Sequence, residues 1–136
     1  MLDIHLKTIP HNKQRYETCG DWTVKDNELS KIIVSDIENS DYEFLIAVHE
    51  LIEAYLCVKN GVKQAIVDEF DTEYESARES GLNAKCGCKP TSDSEPGDDK
   101  HAPYRQYHQF ATHIEKKLAK KLGVNWKSYE YKVLEL

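Results

Sequence analysis

No apolar run in the 136 residues approaches the ~20 that a membrane-spanning helix needs, so no membrane partner is expected. Positive charge is scarce as well. Against 24 Asp and Glu there are 18 Lys and Arg, a formal net charge of −6, which leaves no global attraction to phosphate backbones or anionic lipid. The basic stretch Lys116, Lys117, Lys120 and Lys121 has no aromatic platform interleaved with it and suits the negative end of a helix, so no nucleic-acid partner is expected. The opening residues, MLDIHLKTIP, lack the basic start and apolar run of a secretion signal. A cytoplasmic location is therefore expected, with Cys19, Cys57, Cys86 and Cys88 as thiols or metal ligands rather than a disulfide framework. There is no internal repeat. A length of 136 residues with 40% apolar side chains supports one modest core, hence a single domain over 1–136.

Residues 2–35 carry strand signals: alternation in Leu2-Asp3-Ile4-His5-Leu6, β-formers in Trp22-Thr23-Val24, and the run Lys31-Ile32-Ile33-Val34-Ser35. Asp26-Asn27 suggests a hairpin turn, and the part as a whole reads as a small antiparallel sheet. Ser40-Asp41-Tyr42-Glu43 matches a capping box and opens a helix over 41–59, which Asn60-Gly61 closes. A second helix over 62–80 has Val62, Ile66, Phe70, Tyr74 and Ala77 at helical spacing. The stretch 81–102 holds Gly87, Pro90, Pro96 and Gly97 among small polar residues and has no period, which marks a functional or mobile loop. Pro103 then fits the first turn of a third helix over 103–122, with Tyr107, Phe110, Ala111, Ile114, Leu118 and Leu122 on its apolar face. The tail, Trp126 to Leu136, carries no decisive pattern. The expected class is α+β, a small sheet packed on about three helices.

Within 41–59 the segment Phe44 to Val58 is apolar nearly all round, which predicts burial on most sides, yet His49, Glu50 and Glu53 interrupt it. Residues four apart lie about 40° apart on a helix, so His49 and Glu53 share one face. Buried carboxylates are costly unless paired or bound to a metal, and a divalent ion explains the grouping. The pattern is a variant of the H-E-x-x-H zinc helix with Glu53 in place of the second His, and Glu50 in the position that acts on a metal-bound water. Pairing of His49 and the glutamates with Arg15, Arg78 or backbone partners in the core is the alternative.

Projecting the third helix puts Tyr104, His108, Ala111 and Glu115 in one stripe, which makes His108 the expected third ligand and Glu115 a residue able to orient a ligating imidazole. Asp71 ranks second as a third ligand. His113 falls on the opposite edge and reads as surface. Cys86-Gly87-Cys88 is a weak soft-metal signal, because one C-x-C lacks a partner pair.

The chain resembles a group of short, uncharacterised proteins of tailed bacteriophages and prophages. The resemblance rests on Gln14-Arg15-Tyr16, Gly20-Asp21-Trp22, Tyr42-Glu43-Phe44, Val48-His49-Glu50-Leu51-Ile52-Glu53-Ala54, Glu95-Pro96-Gly97-Asp98 and Ala102-Pro103-Tyr104. It implies a host-cell cytoplasmic setting. Over about thirty residues the centre also resembles the zincin metallohydrolases, which implies that Ile32-Ile33-Val34 forms a strand along a substrate cleft. The leading expectation is a zinc-dependent hydrolase of a peptide, a small amide or a nucleotide derivative, with His49, Glu53 and His108 as ligands and Glu50 as general base. A different class is a phage accessory protein that binds a host protein, its metal or ion pairs purely structural. A third is a two-metal nucleotide hydrolase built from Glu50, Glu53, Asp71 and Glu75.

Overall fold

Asp26 and Asn27 adopt φ of 52° and 63°, the left-handed pair that a two-residue hairpin requires and that Asp and Asn tolerate. They join β2 (Gly20–Lys25) to β3 (Glu28–Ser35) in antiparallel register, with Trp22 opposite Ile32. The computed structural model describes residues 1–81 and 87–136. Its first strand, β1 (His5–Ile9), pairs in parallel with β3, in the order β1-β3-β2. The sheet is thus mixed rather than antiparallel. Residues 10–19 do not turn back on β1 but cross the end of β3, held there by Asp36 N–H donating to Ile9 O and Ser35 N–H to Cys19 O.

Four helices follow: α1 (Ser40–Lys59), α2 (Gln64–Ser80), α3 (Arg105–Leu122) and α4 (Trp126–Leu134), making an α+β fold. Helix α1 starts one residue earlier than the capping box suggests. Asn39 is the cap, its side chain accepting from Tyr42 N–H at 3.1 Å, while the Glu43 carboxylate accepts from Ile37 N–H at 3.1 Å. Helix α2 ends at Gly81, whose φ of 71° gives the left-handed stop. The tail forms α4, capped by the Asn125 side chain on Ser128 N–H. Among the described residues no helix is long and apolar enough to cross a membrane.

The core lies where α1 crosses the sheet and α3. Ile32 and Val34 of β3 meet Leu45, Ile46, Ala54 and Cys57 of α1, with Tyr104, Ala119 and Tyr129 closing the other side. Leu45 is fully buried, so its truncation to Ala would cost roughly 2–5 kcal/mol. Burial does not extend all round α1. Phe44, Leu51 and Tyr55 are 50%, 36% and 45% exposed along one line of the helix. On α3 the inward stripe is His108, Ala111, Glu115 and Ala119, and Phe110 points to solvent.

Helix α2 is fixed to β2 by polar bonds. Gln64 donates to Trp22 O at 2.6 Å and accepts from Val24 N–H, and Arg15 bridges Asp21 to Asp68 at 2.6 to 2.9 Å. Residues 87–104 run back over α2 and α3. Arg78 donates to the carbonyls of Thr91 and Ser94, and Tyr74 Oη donates to Ser94 Oγ at 2.6 Å.

Candidate metal centre

On α1, His49 and Glu53 are one turn apart, and their helix packs against α3 so that His108 faces them. Three donor atoms converge. His49 Nε2 is 3.0 Å from Glu53 Oε2 and 3.1 Å from His108 Nδ1, and His108 Nδ1 is 2.9 Å from Glu53 Oε2. All three residues are under one-tenth exposed. A zinc ion at about 2.0–2.1 Å from each atom of a tetrahedral site separates its ligands by about 3.3 Å. The observed triangle is within a few tenths of an ångström of that, and no other His, Cys, Asp or Glu joins this group among the described residues.

Protons serve the triangle less well than a metal does. Two protons can bridge only two of its edges, and the third edge then sets two imidazole nitrogens against each other at 3.1 Å. Among the described residues no arginine pairs with the triangle: Arg15 is taken by Asp21 and Asp68, Arg78 by Glu75, and Arg105 donates to the Asp98 carbonyl. Burial would push the Glu53 carboxyl up, but the bonds from His108 and His49 outweigh it and hold it below the usual carboxylate range. The two imidazoles are shifted the other way. Burial lowers each, and carboxylates override it: Glu115 and Glu53 for His49, Asp98, Glu53 and Glu95 for His108.

Each imidazole has an acceptor behind it. His49 Nδ1 donates to Glu115 Oε1 at 2.8 Å, and Tyr129 Oη of α4 donates to Glu115 Oε2 at 2.5 Å. Once the Nε2 proton gives way to an ion, that chain would keep the remaining proton on Nδ1 and turn the Nε2 lone pair inward. His108 Nε2 lies 3.1 Å from Glu95 Oε2 and 3.4 Å from Asp98 Oδ1, on the short 3-10 turn Pro96–Asp98 and the residue before it. A Cβ on Gly97 would strike the His108 ring, so only glycine lets this turn lie on the imidazole.

Glu50 sits beside the triangle, half-buried between α1 and the start of β2. A Cβ on Gly20 would lie 2.5 Å from Glu50 Cγ, so the strand meets this side chain through bare backbone. Burial, and then the charge of Glu53, raises the Glu50 carboxyl well above its usual range. Glu50, the three donors, Gly20, Gly97 and Asp71 all line one cleft of about 620 Å³. Asp71 is outside the donor group. It is held by the hydroxyl of Tyr104 and, at 3.4 Å, by that of Tyr16, and burial raises its carboxyl to about 8.

His49, Glu53 and His108 are thus brought together, with Glu115 in the orienting place that the α3 stripe suggests. His113 is exposed, as are the four lysines of α3. Ile32-Ile33-Val34 does not border the cleft. It is the central strand, with Ile32 and Val34 wholly buried, and the residues that reach the cleft come from β2 and the segment before it. Cys86 lies outside the described residues. Cys19 and Cys57 are free thiols, but Cys88 is in a disulfide, against the expectation of thiols or metal ligands. Glu75 is committed to Arg78. Tyr129, Glu95 and Asp98 escape the periodicity reading. No protein-family model, curated protein or solved structure matches the chain.

Proposed function

We propose that the chain is a zinc-dependent hydrolase acting in the host-cell cytoplasm, with His49, Glu53 and His108 as ligands and Glu50 as general base. The observation that carries this reading is the triangle of three buried donor atoms 2.9 to 3.1 Å apart, opening onto a cleft that Glu50 lines. Three protein donors fit the catalytic pattern, which keeps a fourth position for water or substrate, whereas structural zinc takes four. An ion there would supply a Lewis acid and a water of near-neutral pKa. Its charge would also offset the Glu53 repulsion, which is the second cause of the raised Glu50 carboxyl after burial, and so favour the ionised form that a base needs. With an ion held there, the Glu50 carboxylate would take one proton from the attacking water as its oxygen bonds to the carbonyl carbon, and would give that proton to the amine nitrogen as the C–N bond breaks. Peptides and small amides are the substrates proposed.

The test is hydrolysis of a panel of peptides and amides by zinc-loaded protein, with Glu50→Gln as control. Turnover that needs both zinc and Glu50 supports the reading, and zinc binding with no turnover of any panel member sinks it.

One observation favours a second reading, an accessory phage protein that docks on a host protein. Phe44, Leu51 and Tyr55 form an exposed apolar line on α1. Loss of biological effect on replacing Phe44 and Tyr55 with Ser, with His49→Ala silent, would select this reading.

A further inference from the structure

A second cluster of donors shares His108 with the first. His108 Nδ1 belongs to the group with His49 and Glu53, and Nε2 to a group with Glu95 and Asp98. A neutral imidazole has one lone pair, so it serves one group as ligand and the other as hydrogen-bond donor. Burial decides between them. Glu53 and His49 are nearly closed off from water, whereas the Glu95 and Asp98 side chains are 57% and 55% exposed and hold an ion only in competition with solvent.

We infer that Glu95 and Asp98 are positioning residues for the metal centre: they accept the His108 Nε2 proton, which turns the Nδ1 lone pair onto the ion. The inference rests on the proposed metal centre. Two further observations make the turn part of that centre. Gly97 lies flat on the His108 ring where any side chain would collide with it, and the chain just before it is tied to α2 by Arg78 and Tyr74. A segment that holds a ligand's proton is held in turn by the ion, because linkage is reciprocal. Metal uptake therefore steadies residues 95–98 on His108, where they already lie, and loss of either carboxylate weakens the metal.

The test is nitrogen-15 NMR of histidine-labelled, zinc-loaded protein. The expected spectrum has zinc on His108 Nδ1 and a slowly exchanging proton on Nε2. The double variant Glu95→Ala, Asp98→Ala should lose that protected proton and bind zinc about 10- to 100-fold more weakly, while Glu95→Gln, which keeps an acceptor oxygen, should lose less. Both side chains are exposed, so the double variant is expected to fold, and the wild-type spectrum needs no variant. Zinc on Nε2 with the proton on Nδ1 would overturn the inference and leave a metal centre standing, as would unchanged affinity in the double variant. No zinc binding at all would overturn the proposed function and this inference together.

Discussion

His49 Nε2 and His108 Nδ1 face each other at 3.1 Å across the α1–α3 contact, 59 residues apart in the chain and with Glu53 Oε2 against both. Neither helix needs an imidazole there for packing, and the pair is stable only if something between them carries positive charge. A divalent ion would do this better than shared protons, since it would engage all three lone pairs at once.

Replacing His49 with Ala should remove zinc binding and stability together. Glu53 and Glu115 would each keep a buried charge with a lost partner, a loss on the order of 3–5 kcal/mol. Zinc titration and thermal melting of the metal-free and zinc-mixed variant check this. A variant that binds zinc like wild type removes His49 from the ligand set.

Glu50→Gln should separate binding from turnover. The amide fills the same space against Gly20 and leaves the three donors in place, so zinc affinity and melting temperature should stay near wild type while hydrolysis falls by at least about 100-fold. Retained turnover would mean that another group takes the water proton. Gly20→Ala offers a second check, because its Cβ would drive the Glu50 side chain from its place and lower activity without touching a ligand.

Zinc affinity should go on rising from pH 6 to pH 8. Carboxylates hold the His49 and His108 protons above the ordinary imidazole range, so the metal competes with bound protons until well past neutrality, and removing protons favours it throughout this window. Chelator competition at several pH values measures this. A plateau starting below pH 7 would show ordinary imidazoles at the centre.

Asp71→Asn should stabilise the metal-free protein, and increasingly so as pH rises. Below about pH 4 the folded and unfolded chains both carry the Asp71 proton. Between there and about 8 the unfolded chain loses it and the folded chain keeps it, so wild-type stability falls as pH rises, and the amide variant escapes that loss. The gain is therefore smallest at pH 4 and largest at pH 8. Urea unfolding of both proteins at pH 4, 6 and 8 decides it, and a constant difference across the three would contradict the raised Asp71 carboxyl.

The centre is legible in the sequence to the extent that helix geometry carries it. The four-residue spacing of His49 and Glu53 and the stripe through His108 and Glu115 are local facts, and α1 and α3 need only pack for the donors to meet. Glu95, Asp98 and Gly97 are not legible this way, because a loop has no period and its place over His108 is set by the bonds of Arg78 and Tyr74. Tyr129 is lost in a nine-residue tail helix too short for a clear stripe. The pairing of β1 with β3 turns on how residues 10–19 cross the sheet end, which strand alternation does not encode. The apolar circumference of α1 overstates its burial, since apolar residues on every side of a helix do not require a neighbour on every side.

The most direct test of the metal centre is zinc K-edge X-ray absorption on protein purified without chelator, together with its metal content. The expected result is one zinc per chain in a nitrogen and oxygen shell at about 2.0 Å, with the outer-shell signature of two imidazoles that falls away in His49→Ala. A chain that retains no divalent metal, or one whose zinc has sulfur neighbours at about 2.3 Å, would contradict it.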